Sequence, residues 1–213
     1  MNLKLKNRLI KIAKEKIPCS DTAHDFEHAY RVLSNAERIS KIENGDLDVI
    51  VPAALFHDLI VYPKNSLNTH KSQKESAKAT VAILNSIPNY PKDKIKKVET
   101  CILECSFTKG IQPTILESKI LQDSDRLEST GAISIMRTYS STGQMKRQFY
   151  NSIDPFCKNR KPDGINFALD FFYVKLLKVA DQMNTKTAKK IAKRRTKFLI
   201  SFLNEFKLEL EGK

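Results

Sequence analysis

The sequence predicts an all-α fold, and three observations carry that expectation. No stretch of four to eight residues shows clean strand alternation. There are only six glycines and no tryptophan in 213 residues, while long runs are rich in Lys, Ala, Leu, Ile and Glu. Apolar residues recur instead at three- and four-residue steps, the period of a helix with one buried side. No linker or composition shift separates two cores, so one domain is expected over residues 1–213.

The elements follow in order. Leu5, Leu9 and Ile12 predict a helix over 3–17, stopped by Pro18. Asp21 is placed to cap a second helix over 22–42. Its inner side carries Phe26, Ala29, Tyr30, Leu33, Ala36 and Ile39, and Asn44-Gly45 closes it. Asp46 starts the third helix, which carries His57-Asp58 and has Pro52 near its start. Residues 61–70 read as a polar loop.

Helices over 71–87 and 92–105 come next, the latter with Ile95, Val98, Ile102 and Cys105 as its inner stripe. A helix over 114–129 is broken by Gly131, and another runs from 132 to about 139. Residues 140–166, with Gly143, Pro155, Pro162 and Gly164, read as irregular with at most a short helix. Two helices, over 167–182 and 187–210, finish the chain.

Charge and cysteine content narrow the setting. Lys and Arg number 37 against 24 Asp and Glu, a net +13 that favours anionic partners. Cys19, Cys101, Cys105 and Cys157 form no CxxC pair, so reduced thiols and a cytoplasmic protein are expected. Cys101 and Cys105, four apart without a second pair, read as core thiols rather than a zinc site. The basic N-terminal segment lacks the apolar core of a signal peptide. No apolar run approaches 18 residues, so no membrane helix and no membrane partner are expected.

All four histidines, His24, His28, His57 and His70, fall within the first 70 residues. His24 and His28 are four apart and share a helix face. His57-Asp58 ends a run of small and apolar residues, Ala53-Ala54-Leu55-Phe56, on the next helix. A third acidic segment, Asp123-Ser124-Asp125, lies in an otherwise helical stretch where two aspartates are costly in helix propensity. Imidazole and carboxylate together suit a divalent ion, and packed helices can converge them on one. Asp123 and Asp125 are about 200° apart around a helix, so one of them is a ligand and the other is not.

This order of residues resembles the HD-domain metal-dependent phosphohydrolases, an all-helical bundle family named for a His…His-Asp…Asp quartet. The matching segments are His24-Asp25-Phe26-Glu27-His28-Ala29-Tyr30-Arg31-Val32, His57-Asp58 and Asp123-Ser124-Asp125-Arg126-Leu127. The pattern is most similar to a bacterial subgroup of small stand-alone HD hydrolases. That likeness continues at Ser106-Phe107, Leu127-Glu128-Ser129-Thr130-Gly131-Ala132 and Phe172-Tyr173-Val174-Lys175-Leu176-Leu177.

The resemblance implies a single HD-type helical domain, with a metal-binding core over about 20–140 and C-terminal helices over about 165–210. It implies one divalent ion (Mn, Mg, Ni, Co, Fe or Zn) held by His28, His57, Asp58 and Asp125, the family's register selecting Asp125. It implies hydrolysis of a phosphate ester or phosphoanhydride of a small phosphorylated substrate, a nucleotide. Asp123 is then a candidate proton acceptor or support for a ligand, and His24 a candidate contact to phosphate or to a ligand. Arg31 and Lys64 are candidates for stabilising transition-state charge. The chain departs from the subgroup where Cys105 and Phe171 replace histidines. It departs again where Val61 and Tyr62 occupy positions that are often acidic. These losses argue for one metal rather than two and leave the general base open.

A rival reading makes the chain a catalytically weak metal or nucleotide sensor, or a nucleic-acid-binding protein using its last helix. Lys186, Lys189, Lys190, Lys193, Arg194, Arg195 and Lys197 crowd that helix. They cover more than one face and no aromatics interleave with them, so a solvated basic surface is the default expectation.

Overall fold

The computed structural model describes residues 1–18, 25–62, 66–106 and 110–213. Among the described residues there are nine α-helices and no strand, only an isolated bridge between Gln148 and Phe167. The fold is all-α, as expected. The chain divides into two compact units, residues 1–125 and 126–213.

In the first unit, α1 (Leu3–Lys16) is capped by Asn2 and buries Leu9 and Ala13. α2 (Phe26–Glu43) begins later than the sequence reading, which placed its start at Thr22. The Asp25 carboxylate accepts the His28 amide at 2.9 Å and so sets the first turn. Asp21 lies outside the described residues. The buried face of α2 holds His28, Ala29, Val32, Leu33, Ala36 and Ile39. Tyr30, read as an inner residue, is 43% exposed, because the buried arc is centred on Ala29, Leu33 and Ala36 and Tyr30 falls beyond its edge. Asn44 closes the helix in the left-handed region, and the Gly45 amide donates to Ser40 O. A Cβ on Gly45 would sit 2.6 Å from Ile120 Cδ1, so a larger residue there would require that buried side chain to shift.

α3 (Leu47–Phe56) is the middle of the unit. Every residue from Val49 to Phe56 is buried, and the helix packs against α1, α2, α4 (Ser72–Asn85) and α5 (Ile95–Glu104). Pro52 lies inside it and has no N–H for the carbonyl of Asp48, four residues back. The Tyr90 hydroxyl, from the turn after α4, donates to that oxygen at 2.7 Å and replaces the missing bond. Lys92 similarly closes the end of α4, its ammonium donating to the carbonyls of Leu84, Asn85 and Ile87 at 2.9 Å each. α5 buries Ile95, Val98, Cys101 and Ile102, with Cys105 buried just beyond it. Both thiols are core groups, and burial pushes Cys101 up to about 12. α6 (Leu116–Arg126) follows and continues as a 3₁₀ turn, Leu127–Ser129.

The second unit is built from α7 (Gly131–Met145), α8 (Asp170–Val174), a 3₁₀ segment (Leu176–Gln182) and α9 (Lys186–Leu210). α7 runs six residues past the expected end at Tyr139 and stops at Lys146, in the left-handed region. The single helix expected over 167–182 is instead α8 and the 3₁₀ segment, divided at Lys175 (φ −131°, ψ −61°). Its core is Leu169, Phe172, Leu176, Leu199 and Leu203, with Phe202, Phe206, Tyr150 and Phe156 packed around it.

The irregular stretch between α7 and α8 is ordered by side chains. Asp154 accepts the amides of Lys158 and Asn159, and Arg160 donates to Asp154 O and bidentately to the buried Asp170 at 2.5 and 2.8 Å. No described helix is long and apolar enough to cross a membrane.

Candidate metal centre

α3 delivers His57 and Asp58 at its end rather than within it. The helix stops at Phe56, and His57 still holds helical angles as the capping residue. Its ring is therefore fixed by the last turn: Nδ1–H donates to Ala54 O at 2.9 Å, which assigns the proton to Nδ1. In the neutral ring Nε2 then carries the lone pair. It is buried, has no hydrogen-bond partner, and faces Asp58 Oδ2 at 3.5 Å and Asp125 Oδ1 at 3.9 Å.

His28, third residue of α2, brings a second buried imidazole. Its Nε2 lies 3.7 Å from Asp58 Oδ2 and 3.6 Å from Asp125 Oδ1, and the two histidine rings are 5.3 Å apart. Asp125 enters from the end of α6. Ligand atoms of His28, His57 and Asp125 all fall within 4.8 Å of one another. The two aspartates are partly exposed, with about a quarter of each side chain open to solvent. Two buried nitrogens thus meet two carboxylates at the edge of the solvent.

The electrostatics test whether a metal fits. A neutral imidazole lone pair directed at carboxylate oxygens is repulsive, and a metal ion between them turns both groups into favourable donors. Nitrogen and oxygen donors at about 2.0–2.2 Å from one ion are separated from each other by roughly 3–4 Å, which is the spacing seen here. The donor set, mixed imidazole and carboxylate, is one that divalent transition metals and magnesium-like ions accept. The residues fit a metal.

Asp123 is on α6 and fully buried. Arg31 is on α2, three residues after His28 and partly buried. His24 and Lys64 lie outside the described residues. His70 is exposed, with its ring turned onto Leu67 O at 2.7 Å. One group the sequence reading passed over is Glu75, in the first turn of α4. The Tyr62 hydroxyl donates to it at 2.6 Å, and this hydrogen bond raises the tyrosine pKa. A carboxylate thus stands beside the position whose acidic residue is missing. Thirteen residues separate the pair, and no spacing rule would have joined them.

The HD-domain family pattern matches residues 25–130, a span that includes His28, His57, Asp58 and Asp125. The chain belongs to the HD-domain superfamily. Solved structures extend the likeness over nearly its whole length. It is 27% identical to an HD-superfamily hydrolase from Bacillus thuringiensis, with 99% of this chain and 98% of that one covered and a TM-score of 0.72. It is 34% identical to the Lin1889 protein from Listeria innocua, covering 99% and 98%, with a TM-score of 0.70. It is 28% identical to Bacillus subtilis YpgQ, solved in complex with ADP, covering 97% and 98%, with a TM-score of 0.74. As an HD-domain protein the chain is a metal-dependent phosphohydrolase in general class, with a divalent ion as its cofactor.

Proposed function

We propose that the chain hydrolyses a nucleotide, at a phosphate ester or phosphoanhydride bond, using a centre in which His28, His57, Asp58 and Asp125 hold one divalent ion. The observation that carries this reading is the buried Nε2 of His57, its lone pair turned toward two carboxylates. The ADP complex of YpgQ supports a nucleotide as the substrate.

When bound, such an ion polarises the phosphoryl group and makes water nucleophilic near neutral pH. The chain's own residues supply the rest. The Ala54 carbonyl holds the His57 proton on Nδ1 and keeps Nε2 available as a donor atom. In this reading Asp123 takes a proton or supports a ligand, and His24 contacts phosphate or a ligand. Arg31 and Lys64 offset charge developing on the phosphoryl oxygens.

Elemental analysis of purified protein, followed by a phosphate-release screen across nucleotides with Mn²⁺, Mg²⁺, Ni²⁺ and Co²⁺, tests the proposal. About one equivalent of metal and turnover of at least one nucleotide are expected. Two equivalents would overturn the single-metal centre. Turnover with none of the four metals would favour a sensor.

A further inference from the structure

We propose that the exposed face of α9 is a docking surface for the phosphate backbone of double-stranded nucleic acid. The proposal is independent of the hydrolase centre and rests on how charge is distributed. Residues 126–213 contain 18 Lys and Arg against 8 Asp and Glu, so this unit carries +10 of the total +13. Such asymmetry between parts of a chain marks a polyanion partner more than a generally solvated surface.

The structure sorts the seven cations that crowd α9. Arg195 turns inward, where its guanidinium donates to Leu127 O at 3.0 Å and its side-chain carbons pass against Gly131. Lys189 is partly buried. The other five, Lys186, Lys190, Lys193, Arg194 and Lys197, are all exposed, and none forms an ion pair among the described residues. At 100° per residue they fall within an arc of about 100°, along a line about 17 Å long. Like charges held this close repel one another, a cost that an anionic partner removes.

The geometry selects the kind of partner. A membrane-bound amphipathic helix must offer its apolar side to lipid. Here Ala188, Ile191, Ala192, Leu199 and Leu203 are already buried in the protein. Single-stranded nucleic acid is held in grooves that supply several aromatic platforms. Among the aromatic residues of α9, Phe198 alone stands half-exposed beside this stripe. A rigid, convex line of cations suits a duplex, whose phosphates present a charge about every 1.7 Å of axis.

Fluorescence anisotropy of a labelled 30-base-pair duplex, titrated with the full-length protein from 50 to 200 mM KCl, tests this. Five neutralised phosphates predict a slope of log K against log [salt] near about −4.5, an affinity loss of about 500-fold over that range. The combined Lys190→Gln, Lys193→Gln, Lys197→Gln variant should bring the slope to about −1.8. These side chains are exposed and form no ion pair among the described residues, so circular dichroism and the thermal midpoint should match the parent. No duplex binding at 50 mM KCl would overturn the proposal, as would a slope unchanged by the triple variant. Tighter binding to a single strand of equal length would overturn the choice of duplex. Binding to phosphatidylserine vesicles without binding to duplex would overturn the choice of nucleic acid.

Discussion

At His57 the two ring nitrogens have separate tasks. Nδ1 is committed to Ala54 O, and Nε2 is left buried and facing Asp58 and Asp125. His57→Ala and Asp58→Ala should each purify without metal and lose phosphate release, and elemental analysis checks the first outcome independently of activity. Full metal content in either variant would show that the donor set is wrong. Asp170 is a second residue with a sharp expectation. Burial pushes its carboxyl up, but hydrogen bonds from Arg160, the Asp163 amide and Cys157 outweigh this and hold it below the ordinary aspartate value. Because the folded pKa is the lower one, the stabilisation is present above about pH 3.9, the unfolded value, and is lost as pH falls through the folded value. Asp170→Ala leaves Arg160 without its buried partner and should cost about 3–5 kcal/mol, measured by urea unfolding at pH 7.

Among the elements, α3 matters most, because a proline sits in a helix that is buried along nearly its whole length. The Tyr90 hydroxyl meets the carbonyl that Pro52 leaves without an intrahelical donor. Tyr90→Phe keeps the packing and removes that bond, so a loss of about 1–3 kcal/mol is expected from chemical denaturation. α2 poses a related question at its start, since Asp25 caps the turn that presents His28. Asp25→Ala should cost about 1 kcal/mol and weaken metal affinity by fraying that turn, while Asp25→Asn, an equally good cap, should restore both. Metal titration by calorimetry separates the two variants. Equal affinities in Ala and Asn would mean that the cap does not position His28.

For the whole molecule, the proposed centre draws its donors from the start of α2, the end of α3 and the end of α6. An ion bound there stabilises only the folded chain, where these ends meet. At a free metal concentration 100-fold above Kd the gain is about 2.7 kcal/mol, or roughly 5–10 °C in Tm for a chain of this size. Chelation should lower the midpoint by that amount and re-addition of metal should restore it, read by scanning calorimetry. An unchanged midpoint would place the metal elsewhere than between these helices.

The sequence by itself determined the all-α class, most of the helices and the chemical types of the candidate donors. Helical period is local: the stripe Ile95, Val98, Ile102 and Cys105 could be read from spacing, and all four are buried. Metal-ligating side chains are few in kind, so His28, His57-Asp58 and the Asp123–Asp125 segment stood out before any geometry was known. Tertiary structure decided what spacing cannot carry. It put atoms of His28, His57 and Asp125 within 4.8 Å, chose the nitrogen of His57 that faces inward, and set Glu75 beside Tyr62. It also divided the expected 167–182 helix at Lys175 and turned Arg195 away from its basic neighbours. Each of these outcomes depends on groups distant in sequence, where the energy of a contact exists only after the chain has brought both partners together.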